Sequence, residues 1–131
     1  MADEIEQNSE AEDAVGEAGN LYREYALLAK ENDREQVWQD ELSKASAEDL
    51  ANFYANEGGD PTQVVFYLEN ADLKDEEKWE ILAQSFEART EFTHQQADEA
   101  KDKKEKEKLK ARVNTYKDQA QTLRRGLEAL K

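Results

Sequence analysis

Large apolar residues recur in this chain at three- and four-residue intervals, with no sustained single alternation, so the pattern predicts helices throughout. Leu21, Tyr25 and Leu28 mark one face of a first helix over about 18–31. Asn32-Asp33 interrupts it. Asp33 with Gln36 resembles a capping box, opening a helix that carries Val37, Trp38 and Leu42. Ser46 is a good N-cap for AEDLANFYANE, with Leu50, Phe53 and Tyr54 as the core face. Gly58-Gly59 ends that helix, because glycine enters the left-handed region at little cost. Asp60-Pro61 starts the next, with Pro at the first helical position, where no amide donor is needed. It carries Val64, Val65, Tyr67 and Leu68. Asp75 then opens a longer helix with the stripe Trp79, Leu82, Phe86, Ala97 and Ala100.

From Leu109 the pattern becomes a heptad seam: Leu109, Val113, Tyr116, Ala120, Leu123, Leu127 and Leu130 alternate four- and three-residue steps. Ala120 narrows the seam, and Gly126 costs a helix interior about 1 kcal/mol. The flanking positions are Lys110, Lys117 and Arg124 on one edge and Arg112, Gln119 and Gly126 on the other, with no acid among them. Pairing two copies of this seam sets like charges together, which disfavours a homo-oligomer built through it. An acidic helical surface is the matching partner. One lies within the chain, where Glu76, Glu77, Glu80, Glu87, Glu91, Asp98 and Glu99 flank the preceding stripe.

Between these two stripes stands KDKKEKEK, residues 101–108. A straight helix through it would misalign the stripes by roughly 135°. Either the run turns the chain back into a helical hairpin, or a long helix presents its second stripe elsewhere. The run has no Gly or Pro. Lys101–Glu105, Asp102–Lys106 and Lys103–Glu107 are opposite-charge pairs one turn apart, so local propensity tips the expectation towards a continuous or bent helix.

Composition supports the helical pattern and limits the core. The 131 residues fit one domain, 37% hydrophobic and 38% charged, with one proline and five glycines. The expected fold class is all-α: a small multi-helix bundle with a long C-terminal helix or helical hairpin. A repeat-like ancestry would account for a faint echo, since Leu-x-x-x-aromatic recurs at Leu21/Tyr25, Leu50/Tyr54 and Leu82/Phe86. The expected division is a disordered acidic arm (1–17), an acidic helical body (18–100), a charged and helical connector (101–108) and a basic amphipathic helix (109–131).

The net charge of −14 is unevenly spread. Residues 1–100 hold 7 basic and 27 acidic side chains, whereas residues 101–131 hold 11 basic and 5 acidic. Nucleic-acid binding through the basic segment is one implication, weakened by the interleaved acids and by repulsion between phosphates and the body. An acidic body that mimics nucleic acid to occupy a basic protein is another.

Little points to catalysis. There is no cysteine, which removes thiol chemistry and Cys-held metals. His94, the only histidine, forms Glu91-x-x-His94 with Glu87 and Asp98 nearby, but a di-iron bundle needs a second such motif. No P-loop, nucleophile elbow or dinucleotide fingerprint occurs. No enzyme activity, metal or cofactor is therefore expected. MADEIEQNSEAEDAVGEAG has neither the basic nor the apolar region of a signal peptide, and no apolar run is long enough for a bilayer, so a cytoplasmic, non-membrane protein is expected.

The expected function is protein–protein contact, as an adaptor, chaperone-like or regulatory subunit. Leu109, Val113, Tyr116, Leu123, Leu127 and Leu130 would supply its apolar surface. Lys110, Arg112, Lys117 and Arg124 would select an acidic helical partner.

Overall fold

The computed structural model describes the backbone of residues 2–131 and the side chains of residues 10–131. Six helices follow one another: α1 (Ala2–Lys30), α2 (Glu35–Leu42), α3 (Ala47–Asn56), α4 (Pro61–Glu69), α5 (Asp75–Glu99) and α6 (Lys103–Leu130). There is no strand among the described residues. The protein is an all-α multi-helix bundle, and its chain ends in a hairpin rather than a single long helix.

Helices α3 and α4 begin and end at the expected residues, but the expected Asp33–Gln36 capping box does not form: Arg34 precedes α2 without a side-chain cap, and its amide donates to the Asn32 side chain at 2.8 Å. The Ser46 hydroxyl accepts from the Asp49 amide at 3.2 Å, and the Asp60 carboxylate accepts from the Thr62 amide at 2.9 Å, with Pro61 opening α4. Gly58 takes φ +69°, a region that side-chain-bearing residues avoid, and so lets the chain turn between α3 and α4. Val64, Val65, Tyr67 and Leu68 are buried, as their spacing predicts, because α4 packs against α1, α2, α3 and α5 at once. The Leu-x-x-x-aromatic echo does not repeat a packing environment: Leu82 and Phe86 are fully buried, whereas the two earlier pairs are half-buried.

Two further boundaries differ from the sequence expectation. Helix α1 begins at Ala2, well before the expected start at 18, so the stretch expected as a disordered arm is helical in its backbone. Met1, the first residue of that stretch, lies outside the described residues. The last residues of the stretch are held by small side chains. A Cβ on Gly126 of α6 would lie 3.1 Å from the Ala14 carbonyl oxygen and would clash with the Ala18 methyl. The second difference is at the charged run. α5 stops at Glu99, Ala100 turns out with ψ 130°, and Asp102 caps α6 by accepting from the Lys104 amide at 3.3 Å. Local propensity favoured continuation by only a few tenths of a kcal/mol per ion pair. Turning back instead buries the Trp79–Ala97 stripe against the α6 seam, which is a larger gain.

The core face of α1 also differs. Ala18, Tyr22, Ala26 and Ala29 are buried, Leu21 and Tyr25 are half-buried, and Leu28 is 49% exposed. Small residues win the interior because α1 lies close against its neighbours. The same preference puts Ala51 and Ala55 of α3 inside and leaves Phe53 outside; in α2 the reverse holds, with the large Trp38 buried and Val37 exposed.

The relative directions of the long helices matter most for function. Arg124 meets Glu80 and Glu87, and Tyr116 stacks on Phe86, so α5 and α6 run antiparallel. Tyr25 meets Gln119 and Ala18 meets Gly126, so α1 is antiparallel to α6 and lies in one groove of the hairpin.

Candidate functional site

The candidate site follows from how far each long helix extends. Along α1 and α6, each step up one helix matches one step down the other, which places Lys30, the end of α1, level with Asn114. α6 runs on for another eleven residues, Lys103 to Val113, or about 17 Å. On the α5 side, the Arg89 guanidinium donates to the Gly58 carbonyl at 3.1 Å, so the α3–α4 turn ends the body's cover there. Beyond these two points the α5–α6 hairpin projects with its α1 groove unfilled.

The floor of that stretch keeps core character. Thr93 and Ala97 are buried, and Ala97 lies outside the main core cluster, covered by the hairpin itself. Leu109 and Tyr116 are half-buried, and Arg89 lies over the Tyr116 ring, 5.3 Å from its centroid. Phe92, one turn past Arg89, is 53% exposed. On the α6 wall, Arg112 lies seven residues before Gln119 and so on the edge that meets α1, with Lys108 one turn further out. Both are exposed. Neither forms an ion pair among the described residues.

The ten expected docking residues are divided by this geometry. Leu123 is fully buried, Tyr116 and Leu127 pack against the core, and Leu130 is 40% exposed at the far end. A docking role for Leu123 would require the hairpin to open. The Arg124 guanidinium donates to Glu87 at 2.6 and 3.2 Å and also to Glu80. The Glu87 carboxylate, foremost, raises its already high pKa further. Arg124 thus serves the hairpin. Lys110 and Lys117 lie on the edge of α6 away from α1, where Lys117 lines a second groove with Val113, Ala120, Glu91 and His94. Leu109 and Arg112 remain in the unfilled α1 groove.

Lys108 and Phe92 were missed from the sequence. Lys108 was hidden in a charge run with no face assigned. Phe92 is off the heptad stripe, and only the position of the α3–α4 turn shows that it lies past the body.

Other polar clusters hold the fold together. Tyr54 and Tyr67 donate to the Glu41 carboxylate, each at 2.8 Å, and the Gln63 amide donates to Tyr67 at 3.0 Å. Tyr22 donates to Glu69 at 2.8 Å. Burial foremost raises the pKa of Tyr22 and Tyr67, and the bond to Glu41 foremost raises that of Tyr54. His94 lies 3.7 Å from Asp98, with both side chains exposed, and Glu87 is taken by Arg124. No group of three or more potential metal ligands occurs among the described residues. No helix among them is long and apolar enough to cross a membrane.

No family model matches the chain, and no curated protein and no solved structure matches it.

Proposed function

We propose that this protein works by protein–protein contact, as a non-enzymatic module that receives an acidic amphipathic helix in the unfilled end of its α5–α6 groove. One observation carries it: the groove continues about 17 Å past the end of α1, with Leu109 only half-buried, Phe92 exposed and Lys108 and Arg112 forming no ion pair among the described residues. Leu109 and Phe92 offer the apolar contact, and Lys108 and Arg112 favour carboxylates on the incoming helix. Glu105 is the one acid on this edge of α6 within the uncovered stretch, while Asp118 lies on the edge beside α1 and Glu99 stands on the α5 wall seven residues past Phe92. The non-enzymatic part rests on where reactive groups are used: Tyr22, Tyr54, Tyr67 and Arg124 all bind carboxylates of the protein's own helices. A role as adaptor, chaperone-like protein or regulatory subunit fits such a module, as does a cytoplasmic setting.

The test uses a synthetic helix with leucines in heptad register and glutamates on its flanks, titrated by fluorescence anisotropy. Saturable binding that weakens with salt is expected. Lys108→Glu/Arg112→Glu should weaken it about tenfold or more, since 1.4 kcal/mol is a factor of ten. Lys110→Glu/Lys117→Glu, on the other edge of α6, should leave it nearly unchanged. No binding, or equal loss in both variants, sinks the proposal. Preference for a nucleic-acid duplex over the peptide would move the protein to a different class.

A further inference from the structure

The unfilled groove at one end of the molecule has a counterpart at the other. Gly126 of α6 meets Ala14 and Ala18, and Leu130, one turn on, lines a cavity with Val15, Gly16 and Gly19. α5 begins at the same level, since Asp75 shares that cavity. α1 nonetheless starts at Ala2. Its residues 2–13 therefore overhang both partner helices by about 18 Å. The whole stretch 2–17 holds seven carboxylates and no basic side chain. Glu10, Glu12 and Asp13 are exposed.

The overhang and the open groove match in four ways. Their lengths are about 18 and about 17 Å. Their charges are opposite, acid on the overhang against Lys108 and Arg112. Their shape is related, because the overhang continues the helix that already fills this groove further along. Their polarity agrees as well: a copy moved along the molecule's long axis, past the hairpin tip, points its overhang back into the groove and antiparallel to α6, as the resident α1 runs. Within one molecule the two cannot meet. About 25 Å of packed hairpin separates Val113, the near end of the groove, from Leu130, level with Ala14, more than twice the screening length of about 10 Å at 0.1 M salt.

The geometry points to a second copy of this chain as the occupant: the acidic N-terminal overhang of α1 docks into the basic, unfilled α5–α6 groove of its neighbour. This rests on the docking function proposed above and names its partner. The contact is heterologous, with different surfaces on the two sides, so it leaves a free overhang and a free groove at the ends and can extend. It differs from pairing two C-terminal seams, which sets cation against cation. The bodies, each at −14, repel at long range. Salt near 0.1 M confines that repulsion to about 10 Å while leaving charge pairs in contact, so association is expected there and loss nearer 1 M.

Sedimentation velocity of the full chain across protein concentration tests the proposal at both salt levels. Concentration-dependent association is expected at the lower salt, with monomer at the higher. Lys108→Glu/Arg112→Glu and the four-site variant Asp3→Lys/Glu4→Lys/Glu6→Lys/Glu10→Lys, which leaves four lysines against two carboxylates over residues 2–13, should each stay monomeric alone. Mixed in equal amounts they should associate again, because every overhang then has a groove of opposite charge. Thermal midpoints by circular dichroism should match the parent. A variant that unfolds is replaced by its Gln or Asn counterpart, expected to weaken association without restoring it on mixing. Wild-type monomer at all concentrations overturns the proposal, as does association that ignores both charge reversals or is not restored by mixing. If the wild type stays monomeric yet binds the synthetic acidic helix, only the self-docking falls. If it does neither, the docking function falls with it.

Discussion

Helix α6 carries one heptad pattern from Leu109 to Leu130, yet its two halves lead different lives. From Asn114 to Leu130 it lies between α1 and α5. Leu123 and Ala120 are buried there, and Arg124 is held by two carboxylates. From Lys103 to Val113 it runs past the end of α1, Leu109 is half-buried, and Lys108, Lys110 and Arg112 form no ion pair among the described residues. The spacing of apolar residues does not distinguish the halves. The length of a different helix does: α1 stops at Lys30, level with the middle of α6. An amphipathic seam thus says that a helix wants cover on one face. How much of that cover comes from its own chain is decided by the neighbours' lengths.

The largest contrast should come from leucine deletion in each half. Leu123→Ala removes a fully buried side chain and should cost about 2–5 kcal/mol. Leu109→Ala, on the uncovered stretch, should cost about 1 kcal/mol or less, in keeping with the smaller apolar area it hides. Urea unfolding of both variants measures the difference. Equal losses would mean that the outer half is as well covered as the inner one, and the open groove would have to be abandoned.

The same contrast explains what the sequence could and could not reveal. α4 was legible residue by residue, because its signals are local: Asp60-Pro61 at the start and a dense run of large apolar residues. The end of α3 was legible for the same reason, since Gly58 alone among its neighbours adopts positive φ. The face of α1 was misread, because leucine and tyrosine dominate a hydrophobic pattern while Ala18, Ala26 and Ala29 form the close contact. The turn at residues 100–102 was hidden, because helix-forming propensity and i,i+4 charge pairs favour continuation locally. The opposing gain comes from contacts such as Phe86–Tyr116 and Arg124–Glu87, 30 and 37 positions apart. Of the candidate docking residues, charge type could be read from sequence. Which edge of α6 faces the open groove could not, because that depends on where α1 lies.

A smaller effect should follow from glycine and alanine exchanges that run against helix propensity in one half and with it in the other. Gly126→Ala gains about 1 kcal/mol of propensity. It also drives a methyl into Ala18 and towards the Ala14 carbonyl, overpacking that costs about 1–3 kcal/mol. Net destabilisation of about 1 kcal/mol is expected. Ala111→Gly in the exposed outer half has no such contact and should lose only the propensity, about 1 kcal/mol. Stabilisation by Gly126→Ala in thermal unfolding would show that α1 is not pressed against the end of α6, and the register that creates the overhang would fail with it.

The smallest effect concerns two arginines on opposite edges of the seam, Arg124 held by carboxylates of α5 and Arg112 without an ion pair among the described residues. Arg124 binds Glu80 and Glu87, but its side chain is 39% exposed, so solvent screens much of the attraction. Arg124→Ala should therefore cost about 1 kcal/mol. A double-mutant cycle with Glu87→Ala should recover part of that as coupling, falling as salt is raised. Arg112→Ala should move stability by no more than about 0.5 kcal/mol in either direction, as a surface position without a partner does. Its effect belongs instead to the acidic-peptide titration, where Arg124 should matter little. An Arg112 substitution that destabilised the monomer as much as Arg124→Ala would show that the outer half already has its counter-charge within the chain, and the reason for an acidic partner would disappear.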